Sequence, residues 1–266
     1  MILDEKSISV VVVVNNNLDV LEKALQLWTM VCTRYRHGAE LVICDDGSED
    51  GTEEFMSSYL EQVKAIGLRV AYIRKSKGNS LELCSNINQA QEYLNGKYVL
   101  FATGNSYPRG YLLDEYEKYL DDDTILSGIQ QEISEVFNHV TIREERRSYE
   151  SRYQLLDKDL EPWRAVVLNN SIWPVRVLED IGWFNKEFDG KEKAEQEAAM
   201  LALYKTGAKF RSVPGAKMFH VGSLGKRRPE TYVDSWLESL QKRYSSGKYS
   251  RSTRYLKPRP PKDVPE

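Results

Sequence analysis

The chain has 266 residues, of which 41% are hydrophobic and 29% charged, and its formal net charge is −3. This balance is typical of a globular protein with a buried core, and it excludes collagen, a coiled coil and a disulfide scaffold. The longest strongly apolar run, Ile8–Val14, is far shorter than the roughly 20 residues of a membrane span, so we expect no transmembrane segment.

The first residues and the cysteines indicate the compartment. The acidic start of the chain lacks a basic region followed by a long apolar one, which argues against a secretory signal. Cys32, Cys44 and Cys84 are widely spaced and include no Cys-X-X-Cys pair, so we expect reduced and mostly buried thiols. Together these features predict a cytoplasmic protein.

The first hundred residues alternate between strand and helix patterns. β-branched residues dominate Ile8–Val14, as a parallel strand buried on both faces requires. The predicted strands are Ile8–Val14, Glu40–Cys44, Arg69–Ile73 and Lys97–Ala102. Helical spacing of apolar residues predicts helices at Leu18–Val31, Thr52–Ile66 and Leu81–Leu94. This order predicts an α/β fold with a mostly parallel twisted sheet and helices on both faces.

The alternation of strand and helix patterns is weaker in the later part of the chain. Two mixed strands and a polar loop are predicted between Ile125 and Asp159. The segment 223–266 is net basic and holds more than half of the prolines, and we expect it to be extended or disordered from about residue 257 onward. Within that segment, Asp234–Tyr244 has the spacing of an amphipathic helix. We therefore expect a folded domain over 1–222, followed by a basic C-terminal extension.

The strand ends are the candidate functional site, because ligands of wound sheets bind beyond the carboxyl ends of the strands. At the second end, the adjacent acids Asp45 and Asp46 point to opposite sides, so at most one of them faces a ligand directly. A carboxylate there can accept hydrogen bonds from a ribose hydroxyl or a base N–H. The alternative is a plain turn, for which Asp, Gly and Ser are typical residues.

The third and fourth strand ends have different chemistry. Lys75 and Lys77 beside Gly78 can meet phosphate, or they can form a solvated basic turn. The fourth end, Thr103–Ser106, is small and polar and leaves room for a ligand near the backbone. Because it holds no carboxylate, a divalent cation would lack its usual anionic ligand there.

The ordered set of motifs resembles the inverting glycosyltransferases of family 2, which have the GT-A (Rossmann-like) fold. The clearest match is Glu40–Ser48, which ends in Asp-Asp-Gly-Ser. The other matching segments are Ser9–Asn17, Asp50–Thr52, Gly78 with Asn86, Gly96–Phe101, Asn169–Ser171, Val177–Asn185, Glu195-Gln196 before Gly207, and Pro214–Ala216 with His220. The series spans most of the chain, although Asn15 stands where Tyr is usual and Ser85 where Arg is usual.

The resemblance implies a nucleotide-diphosphate sugar as donor and a glycan, protein or other hydroxyl-bearing molecule as acceptor. We favour a UDP-sugar. Residues 1–108 would form the donor half and 109–222 the acceptor half, with Asp45 on the base and Asp46 on the ribose or metal region, or the reverse. The implied donor-binding residues are Val14, Asn15, Asn16, Asp45, Asp46, Lys75, Lys77, Gly78, Thr103, Gly104, Asn105 and Arg227.

Two departures from the family concern the metal and the catalytic base. Thr103-Gly104-Asn105 replaces Asp-X-Asp, so Asn105 with His220 would hold Mg²⁺ or Mn²⁺ weakly, or the metal is dispensable and cations compensate the diphosphate. Those cations would be Lys75 and Lys77, or a lid at Lys226–Arg228. Gln196 stands where the family has its base, and an amide cannot accept the proton. Glu195 and Glu197 are the nearest replacements, and we favour Glu195.

Three functions remain open at this point. The first is an active inverting glycosyltransferase, and the second is a catalytically silent nucleotide-sugar binder or scaffold of the same fold. The third, which we disfavour, is nucleic-acid binding through the basic extension. Trp163, Trp173 and Trp183 can form a platform for an acceptor, although core packing is the favoured interpretation.

Overall fold

The computed structural model describes residues 4–76, 82–136, 139–145, 163, 166–190 and 194–221. Within these residues the chain forms one nine-stranded sheet with helices packed against it. The strands are β1 (Ile8–Val14), β2 (Ala39–Asp45), β3 (Val70–Arg74), β4 (Tyr98–Thr103), β5 (Ser106–Pro108), β6 (Thr124–Val136), β7 (His139–Glu145), β8 (Ser171–Pro174) and β9 (Lys209–Val221).

The helices follow the predicted alternation in the first half of the chain. The α-helices are α1 (Leu18–Arg34), α2 (Thr52–Ala65), α3 (Leu83–Gln89), α4 (Leu112–Glu117), α5 (Val175–Ile181) and α6 (Ala194–Lys205). Short 3-10 helices span Ala90–Tyr93 and Lys186–Phe188. Among the described segments, none of the helices has both the length and the apolar character that crossing a membrane requires.

The strand order is β3-β2-β1-β4-β8-β6-β9-β5, and β7 pairs with β6 outside this path. The first four of these strands are parallel, which confirms the predicted parallel arrangement for the first half of the chain. Beyond β4 the sheet is mixed, because β8 runs antiparallel to both β4 and β6, whereas β6 and β9 are parallel. The two strands predicted between 125 and 159 correspond to the antiparallel pair β6 and β7.

The sheet has a hydrophobic cluster on each face, which explains the unbroken apolar sequence of β1. Val10 and Val12 pack into a cluster with α1, α2 and α4, whereas Val11 packs into a second cluster with α3, α5 and α6. Because side chains alternate along a strand, a β1 covered by helices on both sides has to be apolar at nearly every position. Helices on both faces are therefore confirmed.

The three tryptophans of the second half lie in the second cluster. Trp163 and Trp173 are at most 2% exposed and Trp183 is 9% exposed. The Trp173 ring stacks on Phe184 at a centroid distance of 5.6 Å. Their burial favours core packing over an acceptor platform. The three cysteines are likewise free and buried, as predicted, and burial raises the pKa of the Cys44 thiol to about 12.

The third helix is shorter than its predicted range Leu81–Leu94, because regular α-helix ends at Gln89 and continues as a 3-10 turn. The polar loop before Asp159 and the basic extension 223–266 with its Asp234–Tyr244 helix lie outside the described residues. The domain boundary after 222 stays a prediction.

Candidate functional site

Four parallel strands end level at one edge of the sheet. The register pairs Val14 of β1 with Asp45 of β2, and Asp45 with Arg74 of β3. Val13 pairs with Thr103 at the end of β4. The four predicted ligand-binding segments therefore begin side by side, as expected for the carboxyl edge of a wound sheet.

The Asp45 carboxylate is fully buried and accepts three hydrogen bonds from within the protein. Its Oδ1 accepts from the backbone N–H and the hydroxyl of Ser48, at 2.8 and 2.6 Å. Its Oδ2 accepts from the Tyr72 hydroxyl at 2.6 Å. Burial, together with this hydrogen bond to Asp45, raises the pKa of Tyr72 above its ordinary value. Both oxygens of Asp45 therefore stabilise the turn after β2.

The neighbouring Asp46 belongs to an ion cluster with Lys75 and Glu82, which we call the Lys75 cluster. Lys75 Nζ lies 2.7 Å from Asp46 Oδ1 and 2.7 Å from Glu82 Oε2. The Glu82 backbone N–H donates to Asp46 Oδ2 at 3.4 Å. Burial acts to lower the pKa of Lys75, but its hydrogen bonds to Asp46 and Glu82 raise it above the ordinary value. The cluster joins the ends of β2 and β3 to the start of α3.

The residues that follow β1 form hydrogen bonds with the turn after β2. The Asn15 side-chain amide donates to the Asp46 carbonyl at 3.3 Å. The Asn16 backbone N–H donates to the Ser48 hydroxyl at 3.0 Å, and Asn16 has a φ of 46°, a left-handed conformation that Asn tolerates. Val14 is fully buried in the first hydrophobic cluster, so its side chain does not face the strand-end edge.

The end of β4 is tied to the end of β9 through Asn105. Its Oδ1 accepts from the Thr103 hydroxyl at 2.7 Å, and its Nδ2 donates to the Val221 carbonyl at 2.8 Å. An added Cβ at Gly104 would lie 2.6 Å from the side-chain nitrogen of Asn17, so this side chain would have to shift. Asn105 therefore cross-links two strand ends.

The predicted metal site does not fit the residues present. The side-chain carbonyl of Asn105 is neutral and already accepts a hydrogen bond, whereas Mg²⁺ and Mn²⁺ prefer carboxylate oxygens. In the described part of the chain, no group of three or more His, Cys, Asp or Glu side chains could hold a metal ion. His220 lies in β9, opposite Ser106 of β5. Asn105 and His220 thus offer no anionic ligand for a divalent cation.

Gln196 lies on α6 and binds the backbone of the segment before β8. Its Oε1 accepts from the Leu168 N–H at 3.0 Å, and its Nε2 donates to the Val166 carbonyl at 3.4 Å. A carboxylate could make the first of these bonds but not the second. The Gln196 amide therefore holds this backbone segment through both its oxygen and its nitrogen. It does so at the position where the resemblance implies a catalytic base.

Replacing Gln196 with Glu is expected to lower the free energy of unfolding by about 1–2 kcal/mol, because a second acceptor then faces the Val166 carbonyl. Urea denaturation at neutral pH measures this change. The control is Gln91→Glu, which makes the same chemical change at an exposed position. A Gln196→Glu protein that is as stable as the parent would contradict this role of the Gln196 amide.

Some predicted site residues lie outside the described part of the chain: the side chains of Glu195 and Glu197, and residues Lys77, Gly78 and Arg227. The structure also adds residues that the sequence argument missed. The Asp189 carboxylate accepts from the backbone N–H groups of Cys84 and Ser85, at 2.7 and 3.2 Å, and thereby caps α3. The sequence around α3 gives no sign of this cap. The sequence argument also missed the hydrogen bond from Tyr72 to Asp45. Tyr72 could have been found, because it lies two positions before Arg74 and therefore on the same face of the predicted strand.

Comparisons with known proteins agree with this fold. Residues 9–176 match the family model described as glycosyl transferase family 2, which is more than half of the chain. Among curated proteins, none matches the sequence.

Two solved structures illustrate the structural likeness. TarS from S. aureus in complex with UDP-GlcNAc is 17% identical, with a TM-score of 0.58, over 83% of this chain and 60% of that chain. The mannosyltransferase PcManGT from Pyrobaculum calidifontis, in complex with GDP-Man and Mn²⁺, is 14% identical, with a TM-score of 0.61, over 85% of this chain and 59% of that chain.

The present chain thus spans about three fifths of the length of these relatives. At such identities the likeness shows the fold, and the sequence match shows the family. The chain belongs to glycosyl transferase family 2 and has the GT-A fold.

Proposed function

We propose that the protein transfers a sugar from a nucleotide-diphosphate sugar to an acceptor hydroxyl. The observation that carries this proposal is the Lys75 cluster at the level ends of the parallel strands, within the segment that matches family 2. The structures of TarS with UDP-GlcNAc and of PcManGT with GDP-Man support a nucleotide-sugar donor. We favour a UDP-sugar for this chain.

Within the proposed site, Asp46 is the better candidate than Asp45 for a contact to the donor. Asp45 has both oxygens bound by Ser48 and Tyr72, so a ligand would have to displace one of them. Asp46 pairs with Lys75 and accepts a single long hydrogen bond from the Glu82 N–H, so its carboxylate has more capacity left to accept hydrogen bonds from ribose hydroxyls or a base N–H. Thr103 and Gly104 would border the sugar diphosphate.

The proposed reaction is a single in-line displacement that inverts the anomeric carbon. The bond from the acceptor oxygen to that carbon forms as the bond to the diphosphate oxygen breaks, and the bonding electrons leave with the diphosphate. The acceptor proton passes to a carboxylate, for which we propose Glu195, because Gln196 is engaged with the backbone of residues 166–168. Lysine and arginine side chains would compensate the charge that develops on the diphosphate.

One further candidate function is supported by specific contacts. Asn105 and Gln196, which stand where the family has its metal ligand and its base, both have internal hydrogen-bonding roles. A protein with these two positions committed to structure can bind a nucleotide sugar without transferring it. The silent nucleotide-sugar binder is therefore the alternative to an active transferase.

The test is to incubate the purified full chain with UDP-, GDP- and TDP-sugars and to measure binding by calorimetry and transfer by release of the nucleoside diphosphate. Binding with release supports the transferase. Tight binding without release supports the silent binder. Absence of binding to every nucleoside diphosphate and its sugar conjugates contradicts both.

We expect sugar transfer to persist in EDTA, because Asn105 supplies no anionic ligand and its amide is already bound. Initial rates with EDTA, with added Mn²⁺ and with added Mg²⁺ measure this. Asn105→Asp is the informative variant, since it introduces the missing carboxylate. Complete loss of the parent's activity in EDTA, with recovery on adding Mn²⁺, would contradict the expectation.

A further inference from the structure

Lys75 is a buried cation placed between two carboxylates. Its side chain is only 11% exposed, and the Asp46 side chain is 2% exposed. The ammonium group lies at the same distance, 2.7 Å, from an oxygen of Asp46 and from an oxygen of Glu82. Burying a carboxylate is energetically costly unless a counter-charge lies close by.

Lys75 is the cation that the described contacts assign to Asp46. The preceding residue, Arg74, is directed elsewhere, with its guanidinium 3.7 Å from Asp45 and 3.4 Å from Glu53. Ser85, which stands where the resembled family has Arg, donates its hydroxyl to Asp189 at 2.5 Å. Neither residue contacts Asp46 in the described contacts.

Backbone hydrogen bonds anchor the main chain at both Lys75 and Asp46. The Lys75 N–H donates to the Asp45 carbonyl at 3.1 Å, and the Asp46 N–H donates to the Val14 carbonyl at 2.9 Å. Both residues therefore begin from anchored positions on adjacent strands. The Glu82 side chain, at the start of α3, closes the cluster from the other side.

We propose that Lys75 is a positioning residue for the donor nucleotide, acting through Asp46 rather than by binding phosphate itself. Its ammonium holds the Asp46 carboxylate in one orientation, so that the carboxylate accepts hydrogen bonds from the nucleoside. Because the ammonium already contacts the carboxylates of Asp46 and Glu82, it interacts with the protein's own side chains rather than with phosphate. This inference rests on the proposed function, since it assigns the nucleotide to the strand-end site.

The experiment is a double-mutant cycle on the full chain. The tightest binder to the parent protein among UDP, GDP and TDP is the probe, and calorimetry measures its Kd. We expect Lys75→Met to weaken binding by about tenfold or more, and Lys75→Arg to recover most of the loss. Asp46→Asn should weaken binding as well. The double variant should bind no more weakly than Asp46→Asn alone, because Lys75 then has no carboxylate at position 46 to orient toward the nucleotide.

The matched control is Lys97→Met. Lys97 also bridges two carboxylates, Glu5 at 3.0 Å and Asp122 at 3.2 Å, but it precedes β4 at the opposite edge of the sheet. We expect this variant to bind the probe like the parent. In transfer assays, Lys75→Met should raise the donor KM more than it lowers kcat. Urea denaturation of each variant identifies any loss of folding, in which case Lys75→Gln replaces Lys75→Met.

Each outcome decides the inference. A further tenfold loss on adding Lys75→Met to Asp46→Asn would show that Lys75 contacts the nucleotide directly, which overturns the proposal. Unchanged binding by a folded Lys75→Met or Lys75→Gln variant overturns it too, and leaves the proposed function standing. If the parent binds none of the three nucleotides, the proposed function fails and this inference fails with it.

Discussion

Replacing Asp45 with Ala is expected to lower the free energy of unfolding by about 3 kcal/mol. The substitution removes the acceptor of three hydrogen bonds in a fully buried place, leaving the Ser48 N–H and the Tyr72 hydroxyl without their partner. Ser48 also receives the Asn16 N–H, so the turn after β1 loses support as well. Urea denaturation followed by circular dichroism measures the change.

The control for Asp45→Ala is Asp114→Ala, which removes an exposed carboxylate and should change stability little. Asp46→Ala gives the complementary comparison, because we expect its main effect on nucleotide affinity. An Asp45→Ala protein with parental stability and strongly weakened nucleotide binding would show that Asp45 faces the ligand. The assignment of Asp45 to the turn would then be wrong.

Replacing Glu195 with Gln is expected to lower kcat for sugar transfer by about 10²–10⁴-fold, the usual contribution of a general base. Nucleotide binding should be unchanged, because the substitution keeps the shape of the side chain and acts on the acceptor proton. The structure supports a base other than residue 196, since the Gln196 amide binds the Val166 carbonyl and the Leu168 N–H. Single-turnover measurements separate the chemical step from product release.

Glu197→Gln is the matched comparison, because it makes the same change two positions along the same helix. Full activity of Glu195→Gln together with an inactive Glu197→Gln protein would assign the base to Glu197. Full activity of both variants would exclude both carboxylates as the base.

The sequence alone was sufficient for the parallel half of the sheet. β1 agrees with its predicted bounds and β2 extends its prediction by one residue at each end, because strands buried on both faces leave continuous apolar runs. The level strand ends followed from the βαβ order, since parallel strands place their carboxyl ends at one edge. Asp46 and Lys75 could be placed at this edge for the same reason.

The local sequence pattern could not show which polar side chains near this edge form hydrogen bonds within the protein. From its neighbours in sequence, Asn105 is an ordinary polar loop residue, but its side-chain amide donates to the Val221 carbonyl at the end of β9. Gln196 likewise has the pattern of an ordinary helix residue, but its side chain forms hydrogen bonds with the backbone of Val166 and Leu168. The cap on α3 comes from Asp189, about a hundred residues further along the chain.

The sequence by itself determined the α/β class, the edge of the sheet proposed for the site, and the family, because these depend on periodicity and on ordered local motifs. Only the tertiary structure decided which acid of the Asp45-Asp46 pair accepts hydrogen bonds from Ser48 and Tyr72, and which one pairs with Lys75. That choice depends on Tyr72 in β3 and on Lys75 directly after β3, which come next to the end of β2 only after the chain has folded. Hydrogen-bond partners that are distant in sequence carry no local signal, and they settle whether a polar side chain supports the fold or remains for a ligand.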